Sequence, residues 1–505
     1  MTSHTHPSRD SVTIQLILGS ADVHSAQGVS FHLNPAQKHP DNPVLIPGFP
    51  HEWDSLQVNW PSRVCYDPQD KLFKCWYHGL DAVQYDVATH PERRDFEHWL
   101  GRLWRTGYAE SGDGIRWTKP ALGQHRHRGQ DTNVIVTDYA AASSGAGYDH
   151  CCSLAEVWLN AAPEGEDDRF LAVFTEISWD AQVYRSFKTF RKVIYSSPDG
   201  KRWKRGKIAY DAPSDSDTTP TPNVVDMSSE VFDPDDPDPQ RRYKVYGQTD
   251  RPVRPGRGNR GVGVVCAPDL YSLKYENLQV LLEGEEPYED EIHWSAVRKL
   301  SNGYYVMVHD SSRFDYDTSE KPPDADLKLA VSRNGLDFTR VHPDTPLVAR
   351  GSKCEYDSNL LVTSSIVEHG DTVYIYYHGT SCIYRPWPKP KPGTPGYLRA
   401  SVLYPTFMGL ATLPRDRFAY AQGPGTLTTF PLTLGEDTLR LNADGDGLRV
   451  TALDAAGKET ATGGLEGRED GRLYRKVLWD GPAPTGERTL KIELGAQDRL
   501  YSLEW

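Results

Sequence analysis

The sequence predicts an all-β protein: a five-bladed β-propeller followed by a small C-terminal antiparallel β-sandwich. Three observations lead there. A Ser-x-Asp-Gly-x-x-aromatic hairpin recurs along the chain, a strand–turn–strand pattern repeats five times, and the texture changes after Gly423-Pro-Gly425. The hairpin reads Ser111-Gly-Asp-Gly-Ile-Arg-Trp117, Ser197-Pro-Asp-Gly-Lys-Arg-Trp203 and Ser332-Arg-Asn-Gly-Leu-Asp-Phe338, with a worn copy in Ala267 to Tyr275. Asp-Gly and Asn-Gly supply the positive φ angles of a tight turn, and the aromatic starts the return strand. Such a period marks a repeat architecture.

The elements follow in order. Residues 1–50 read as a leader packed on the propeller, with Asn42 to Pro47 a short strand between prolines. Residues 51–422 hold five four-stranded units. The first has Trp60 to Asp67, a turn, Leu72 to His78, and the Ser111 hairpin. The second has Ser153 to Trp158 and Arg169 to Phe174, and the third Ser229 to Phe232 and Arg242 to Tyr246. The fourth has Trp294 to Leu300 and Tyr304 to His309, and the fifth Ser364 to Glu368 and Thr372 to His378. Four-stranded units repeated about an axis make propeller blades, which leave only short edges. A single β-sandwich of this length is the alternative, but sandwiches do not repeat such a hairpin. In residues 423–505, runs such as Gly447 to Leu453 and Arg488 to Leu494 alternate apolar and polar residues, the pattern of a half-buried antiparallel sheet.

Bulk properties narrow the function. The 505 residues suffice for two domains. The net charge of −14 argues against a nucleic-acid partner, which needs a basic footprint. No apolar run reaches the ~18 residues of a membrane span. Seven cysteines, an odd number without Cys-x-x-Cys spacing, read as free thiols in a reducing compartment. The expected location is cytoplasmic.

The hairpins, the Asp67-Pro turn with Phe73-Lys-Cys-Trp-Tyr77, and the closing sandwich together resemble the five-bladed-propeller glycoside hydrolases. These are the β-fructofuranosidase and arabinanase/xylosidase superfamily, with mannoside phosphorylases as cousins; Gly409 to Phe418 looks like their last blade. The resemblance implies a glycoside hydrolase acting on a small oligosaccharide or glycoside, a furanoside among the options. The catalytic motifs of the group are replaced here: Val58-Asn-Trp-Pro-Ser62, Tyr148-Asp-His-Cys-Cys152 and Val225-Asp-Met-Ser-Ser-Glu230 stand at the first three blades. No catalytic residue is therefore carried over by motif.

The candidates come from position. In a propeller the first strand of each blade begins beside the axis, so residues just before those strands converge. Those lead-ins carry Asp54 and Asn59, Asp149 and His150, Asp226 and Glu230, Glu291 and His293, then Glu355 and Asp357. Glycosyl transfer to water needs one protonated and one ionised carboxyl group. Asp149, Asp226, Glu291 and Asp357 form the expected catalytic pool. Asp54, Asn59, Trp60, His150, His293 and Trp294 are the expected substrate-binding residues, since aromatic faces suit sugar C–H faces. A structural histidine and blade-to-blade packing of the tryptophans are the rival readings, and acidic residues are common enough for chance placement.

No cofactor is expected; a structural Ca²⁺ in the channel is compatible with the carboxylates, though nothing specifies it. Gly256-Arg-Gly-Asn-Arg-Gly261 precedes a strand rather than opening a helix, so it is no dinucleotide fingerprint. The insertions Phe314 to Pro323 and Arg385 to Gly393 could wall a pocket or meet a second copy of the chain. The expected partner is a small carbohydrate. A propeller phosphorylase, with an Arg/Lys/His cluster for phosphate, and a non-catalytic carbohydrate-binding propeller are the alternative functions.

Overall fold

The structure is a computed structural model. It describes residues 12–81, 105–137, 139, 150–160, 163, 165–179, 187–211, 229–249, 260–274, 277–285, 287–313, 324–381, 405–436, 439–469 and 471–505. The all-β expectation holds: the named elements are β-strands joined by turns and single-turn 3-10 segments. No described helix is long and apolar enough to cross a membrane.

Five antiparallel units follow one another. Unit I comprises Gln57–Asp67, Leu72–Leu80 and Arg105–Ser111; unit II comprises His150–Leu159, Phe170–Trp179, Phe187–Ser197 and Lys204–Asp211. Unit III comprises Ser229–Phe232, Tyr243–Thr249, Gly261–Ala267 and Gln279–Glu283. Unit IV comprises Ser295–Lys299, Tyr305–Arg313, Asp324–Ser332 and Thr339–Arg340. Unit V comprises Leu360–His369, Thr372–Thr380 and Phe407–Pro414, and Gln37–Lys38 from the leader adds its outer strand. A parallel bridge from Ala325 to Leu360 joins units IV and V.

The middle strands are buried on both faces, which is why Leu72–Leu80 and Tyr243–Thr249 read as near-continuous apolar runs rather than alternations. Each core lies between two units. Val58, Phe73 and Cys75 pack with Tyr376, Met408 and Leu410, joining I to V; Trp76 and Tyr108 pack with Leu154, Phe170 and Tyr195, joining I to II. Val231 and Tyr246 meet Val297, Tyr305 and Met307, and Val306 and Leu329 meet Leu361 and Ile375. Trp158 packs against the Tyr243 and Val245 cluster between II and III. The first strands also touch in succession, and the fifth touches the first.

The repeated hairpin makes these joints directional. Ser111, Ser197 and Ser332 each accept the N–H of the turn glycine at 2.8–3.0 Å, and Asp113, Asp199 and Asn334 cap the following two N–H groups. Gly114, Gly200 and Gly335 have φ of +75°, +78° and +74°, a region that favours glycine. Each glycine carbonyl accepts a hydrogen bond from an aromatic of the preceding unit. Tyr376 of unit V donates to Gly114 of I, Trp76 of I to Gly200 of II, and Tyr246 of III to Gly335 of IV, at 2.7–2.9 Å. The hairpin's closing aromatic then packs edge-on against the same ring, as Trp117 on Tyr376, Trp203 on Trp76 and Phe338 on Tyr246. In units II and IV the corresponding positions are Val173 and Val308, whose side chains have no donor. The units that follow them close their turns without glycine, through Asp269-Leu270 and Asp416-Arg417. The hairpin is thus a latch between units.

After unit V the chain forms a 12-stranded sheet. It runs from Ser25–Gln27 through Gly425–Thr428, Gly486–Leu494, Arg449–Leu453, Glu459–Leu465, Tyr474–Trp479, Arg440–Asp444, Arg499–Glu504 and Ala419–Gln422 to Ser30–Leu33. Leu427, Leu490 and Ile492 from one half share a core with Leu441, Leu500 and Leu503 from the other, so the sheet folds over itself. The leader enters this sheet as well, with Ile14–Leu16 along Arg499–Glu504. Cys65, Cys75, Cys152, Cys266 and Cys354 carry free thiols, and burial pushes Cys65 up to about 12.

Candidate active site

Two of the lead-ins are near copies: Gly48-Phe-Pro-His-Glu-Trp-Asp-Ser55 before unit I and Gly351-Ser-Lys-Cys-Glu-Tyr-Asp-Ser358 before unit V. Their turns are built alike. Phe49 N–H donates to Glu52 Oε2 at 2.6 Å and Ser352 N–H to Glu355 Oε2 at 2.5 Å. Asp54 and Asp357 are both 1% exposed. Asp54 Oδ2 accepts from Tyr77 at 2.8 Å and Lys119 at 2.6 Å; Asp357 Oδ2 accepts from Tyr377 at 2.9 Å and Lys38 at 2.6 Å. Burial, with the aspartate charge adding to it, raises Tyr77 well above its ordinary value, so the phenol stays a donor. Trp53, buried, stacks on Tyr77 and donates to Asn133 Oδ1 at 2.7 Å. The glycines are required because a Cβ at Gly48 or Gly351 would lie 2.5 Å from Asp54 Oδ1 or 2.1 Å from Asp357 Oδ1. Each carboxylate thereby anchors its lead-in to its unit.

The lead-in of unit IV is different. Glu291, 1% exposed, has Oε1 3.5 Å from Arg260 Nη1 and 3.6 Å from His293 Nδ1, and Arg260 and His293 are 3.0 Å apart. His293 stacks on Trp294 with ring centroids 3.8 Å apart and planes 5° from parallel. Asp310 lies beneath them at the end of the second strand, fully buried. Its Oδ1 accepts the N–H of His293 at 2.8 Å and of Trp294 at 2.6 Å, and Oδ2 meets the Ser312 hydroxyl. Glu291 and Ser312 exchange backbone bonds, which ties the two carboxyl groups into one frame. Burial raises Asp310 to about 7; the hydrogen bonds from Ser312, Trp294 and His293 oppose this, and the Glu291 charge adds to it. The site therefore sets Glu291 beside a guanidinium and, beneath it, a buried Asp310 that holds its proton more tightly than an ordinary aspartate. A second carboxyl beside one with a raised proton affinity is an arrangement that acid–base chemistry can use.

Where the first strands of units I, II and III meet, buried charges form a chain. Arg63 approaches Glu156 at 3.3 Å, Glu156 Oε2 accepts Glu230 N–H at 3.2 Å, and Glu230 pairs with Lys192 at 2.6 Å. Burial raises Glu230 above the usual carboxylate range while Lys192 opposes it. Asn59 is buried there and donates to Gln57 at 3.1 Å. His378, pushed down to about 3 by burial, bonds Val58 O and Ser62.

Of the expected residues, the structure thus gathers Glu291, His293 and Trp294 into one cluster and holds Asp54 and Asp357 in separate anchors. Asp149 and Asp226 lie outside the described residues, as do the Trp60 and His150 side chains. The insertions Phe314 to Pro323 and Arg385 to Gly393 lie outside them too. Arg260 and Asp310 were not among the candidates. Asp310 stands five residues after Tyr305, where His78 and His378 stand five after Phe73 and Val373, so a search of second-strand ends would have found it. A cavity of about 370 Å³ lies elsewhere, between unit V and the terminal sheet. Its cations face acids: Arg415 meets Asp371 at 2.8 Å and Arg440 meets Glu504 at 3.4 Å.

No protein-family model matches the chain, and no curated protein matches it. Solved structures do. One is from the GH130 family of mannoside phosphorylases, which contains glycoside hydrolases targeting β-1,2 mannosidic linkages in Candida mannan. It is 15% identical, covers 76% of this chain and 95% of its own, and has a TM-score of 0.45. An N-acetylgalactosamine deacetylase from F. plautii is 14% identical, covers 76% and 95%, and scores 0.45. A family 43 arabinoxylan arabinofuranohydrolase from Bacillus subtilis is 12% identical, covers 93% and 98%, and scores 0.36. At these identities and scores the function rests on the chain's own geometry, since one fold hosts several chemistries.

Proposed function

We propose that the protein is a glycoside hydrolase of the five-bladed-propeller type, acting on a small oligosaccharide or glycoside, a furanoside among the options. In this reading units I to V are the blades, residues 51–422 the propeller and residues 423–505 a β-sandwich, with a cytoplasmic location. The shared cores, the latch from unit V to unit I and the outer strand lent by Gln37–Lys38 support a closed ring. The observation that carries the function is the pairing of Glu291, beside Arg260 and His293, with the proton-holding Asp310. Glu291, beside Arg260, acts as base or nucleophile. Asp310 is the proton holder, and His293 and Trp294 bind the sugar. Asp149 and Asp226, which precede units II and III in the sequence, stay in the carboxylate pool. Asp54 and Asp357 serve as anchors of the walls.

One observation favours a second reading. Arg260 and His293, 3.0 Å apart, could receive phosphate, as a phosphorylase requires. Assaying a panel of 4-nitrophenyl glycosides with and without inorganic phosphate separates the two: hydrolysis without phosphate supports the hydrolase. Glycan binding with no turnover, unchanged by Glu291→Gln, identifies a carbohydrate-binding propeller and sinks the enzyme reading.

A further inference from the structure

The twin lead-ins differ at their tips. In the Gly351 turn the tip is Ser352-Lys-Cys354, whereas in the Gly48 turn it is Phe49-Pro-His51, and Phe49 is 72% exposed with Ile46 beside it at 54%. The backbones match bond for bond. Gly48 N–H donates to Asp54 O at 3.3 Å and Gly351 N–H to Asp357 O at 3.1 Å; Glu52 N–H donates to Phe49 O at 2.8 Å and Glu355 N–H to Ser352 O at 2.9 Å. The fold therefore does not demand an aromatic at this tip, because the second copy of the same turn is built without one. An exposed aromatic adds no core stability, so the Phe49 tip is free to serve a ligand.

The tip is also prepared for one. Phe49 and His51 lie parallel, with an interplanar angle of 2° and centroids 6.1 Å apart. The loop beneath them is fixed by Asp54 with Lys119 and Tyr77, by Lys119 donating to Ile46 O at 2.8 Å, and by Arg128 donating to Pro50 O at 3.3 Å. Two exposed, parallel rings on a hydrogen-bonded loop can bind with a reduced ordering cost. Both this turn and the Glu291 lead-in precede the first strand of their unit, so they sit at the same end of the repeat.

We infer that Phe49 and His51 form a stacking platform for a sugar ring of the substrate beyond the residue held at Glu291. The inference deepens the carbohydrate reading and rests on it. Hydroxyl-bearing pyranose or furanose rings offer a C–H face to an aromatic plane, and the imidazole edge adds a hydrogen-bonding atom. The platform would set preference for chain length rather than rate.

The test uses the full chain and the Phe49→Ser variant, whose new side chain is the one the twin turn already carries. Dissociation constants are measured by saturation-transfer NMR for xylobiose, mannobiose, arabinobiose and sucrose, and for xylose, mannose and arabinose. Expected is a roughly threefold to tenfold weaker affinity for the disaccharide that binds, the span of one aromatic contact. The monosaccharide should be unchanged, and where the disaccharide is turned over KM should rise with kcat unchanged. Equal disaccharide affinity in both proteins overturns the platform alone. Wild-type protein that binds none of the sugars overturns the carbohydrate reading and the platform with it, and that failure is visible before any variant is made. His51→Ala with the same selective loss supports the paired-ring geometry.

Discussion

The latch between units predicts a non-additive pair of substitutions. Tyr246→Phe removes the hydroxyl that donates to Gly335 O at 2.9 Å from a fully buried position. Losing such a bond costs about 0.5–1.5 kcal/mol, and more if the carbonyl is left dry. Gly335→Ala acts twice. It forces a side chain onto φ +74°, worth about 1 kcal/mol, and places a Cβ 2.7 Å from the Tyr246 hydroxyl and 2.9 Å from a Tyr305 ring carbon. Since backbone and ring must shift, about 2–4 kcal/mol is expected in total. In the double variant the missing hydroxyl relieves part of the overlap, so the combined loss should fall short of the sum by about 1 kcal/mol. Urea unfolding followed by near-ultraviolet circular dichroism supplies the midpoints and slopes. Strict additivity, or Gly335→Ala without destabilisation, would refute the latch.

Two further outcomes concern buried charges. Lys119→Met leaves Asp54 buried with only the Tyr77 hydroxyl, and should destabilise by about 2–3 kcal/mol. That is below the ~3–5 of a fully buried broken pair, because Lys119 is about a quarter exposed; Lys38→Met should do the same at Asp357, and urea midpoints check both. Asp310 is raised from 3.8 to about 7, so its stabilising contribution is fully present below pH ~4 and is lost as pH rises through 7. His309, lowered by burial to about 4, has the opposite sign: its contribution is present above pH ~6.5 and is lost as pH falls toward 4. Unfolding free energies between pH 4 and 8 should thus decline less toward alkaline pH in Asp310→Asn than in the wild type; parallel curves would contradict the effect of burial on the Asp310 carboxyl.

Much of the fold was legible because the hairpin is local chemistry. Ser-x-Asp-Gly encodes its own caps and its positive φ within four residues. The latch was not legible, because Trp76, Tyr246 and Tyr376 lie 124, 89 and 262 residues from the glycines they meet. Its trace is nonetheless present, since Val173 and Val308 stand where the following unit lacks a glycine hairpin. At the lead-ins, position alone could not separate an anchor from a working acid. Asp54 and Asp357 read as promising carboxylates until Lys119 and Lys38, brought from distant segments, occupy them. The repeat of Gly-x-x-x-Glu-aromatic-Asp-Ser was the available sign of scaffold. Asp310 escaped notice because its environment is made by the start of the neighbouring strand, not by its own.

The central claim is that Glu291 and Asp310 work as a charged and a proton-bearing carboxyl in one carbohydrate site. The most direct measurement is the pH–rate profile of wild type, Glu291→Gln and Asp310→Asn on whichever 4-nitrophenyl glycoside the wild type hydrolyses, with folding verified by circular dichroism. The account predicts an alkaline limb near pH 7 in the wild type, lost in Asp310→Asn, and turnover reduced about 100-fold or more in Glu291→Gln. Folded variants that keep wild-type rates and the same limb would contradict it.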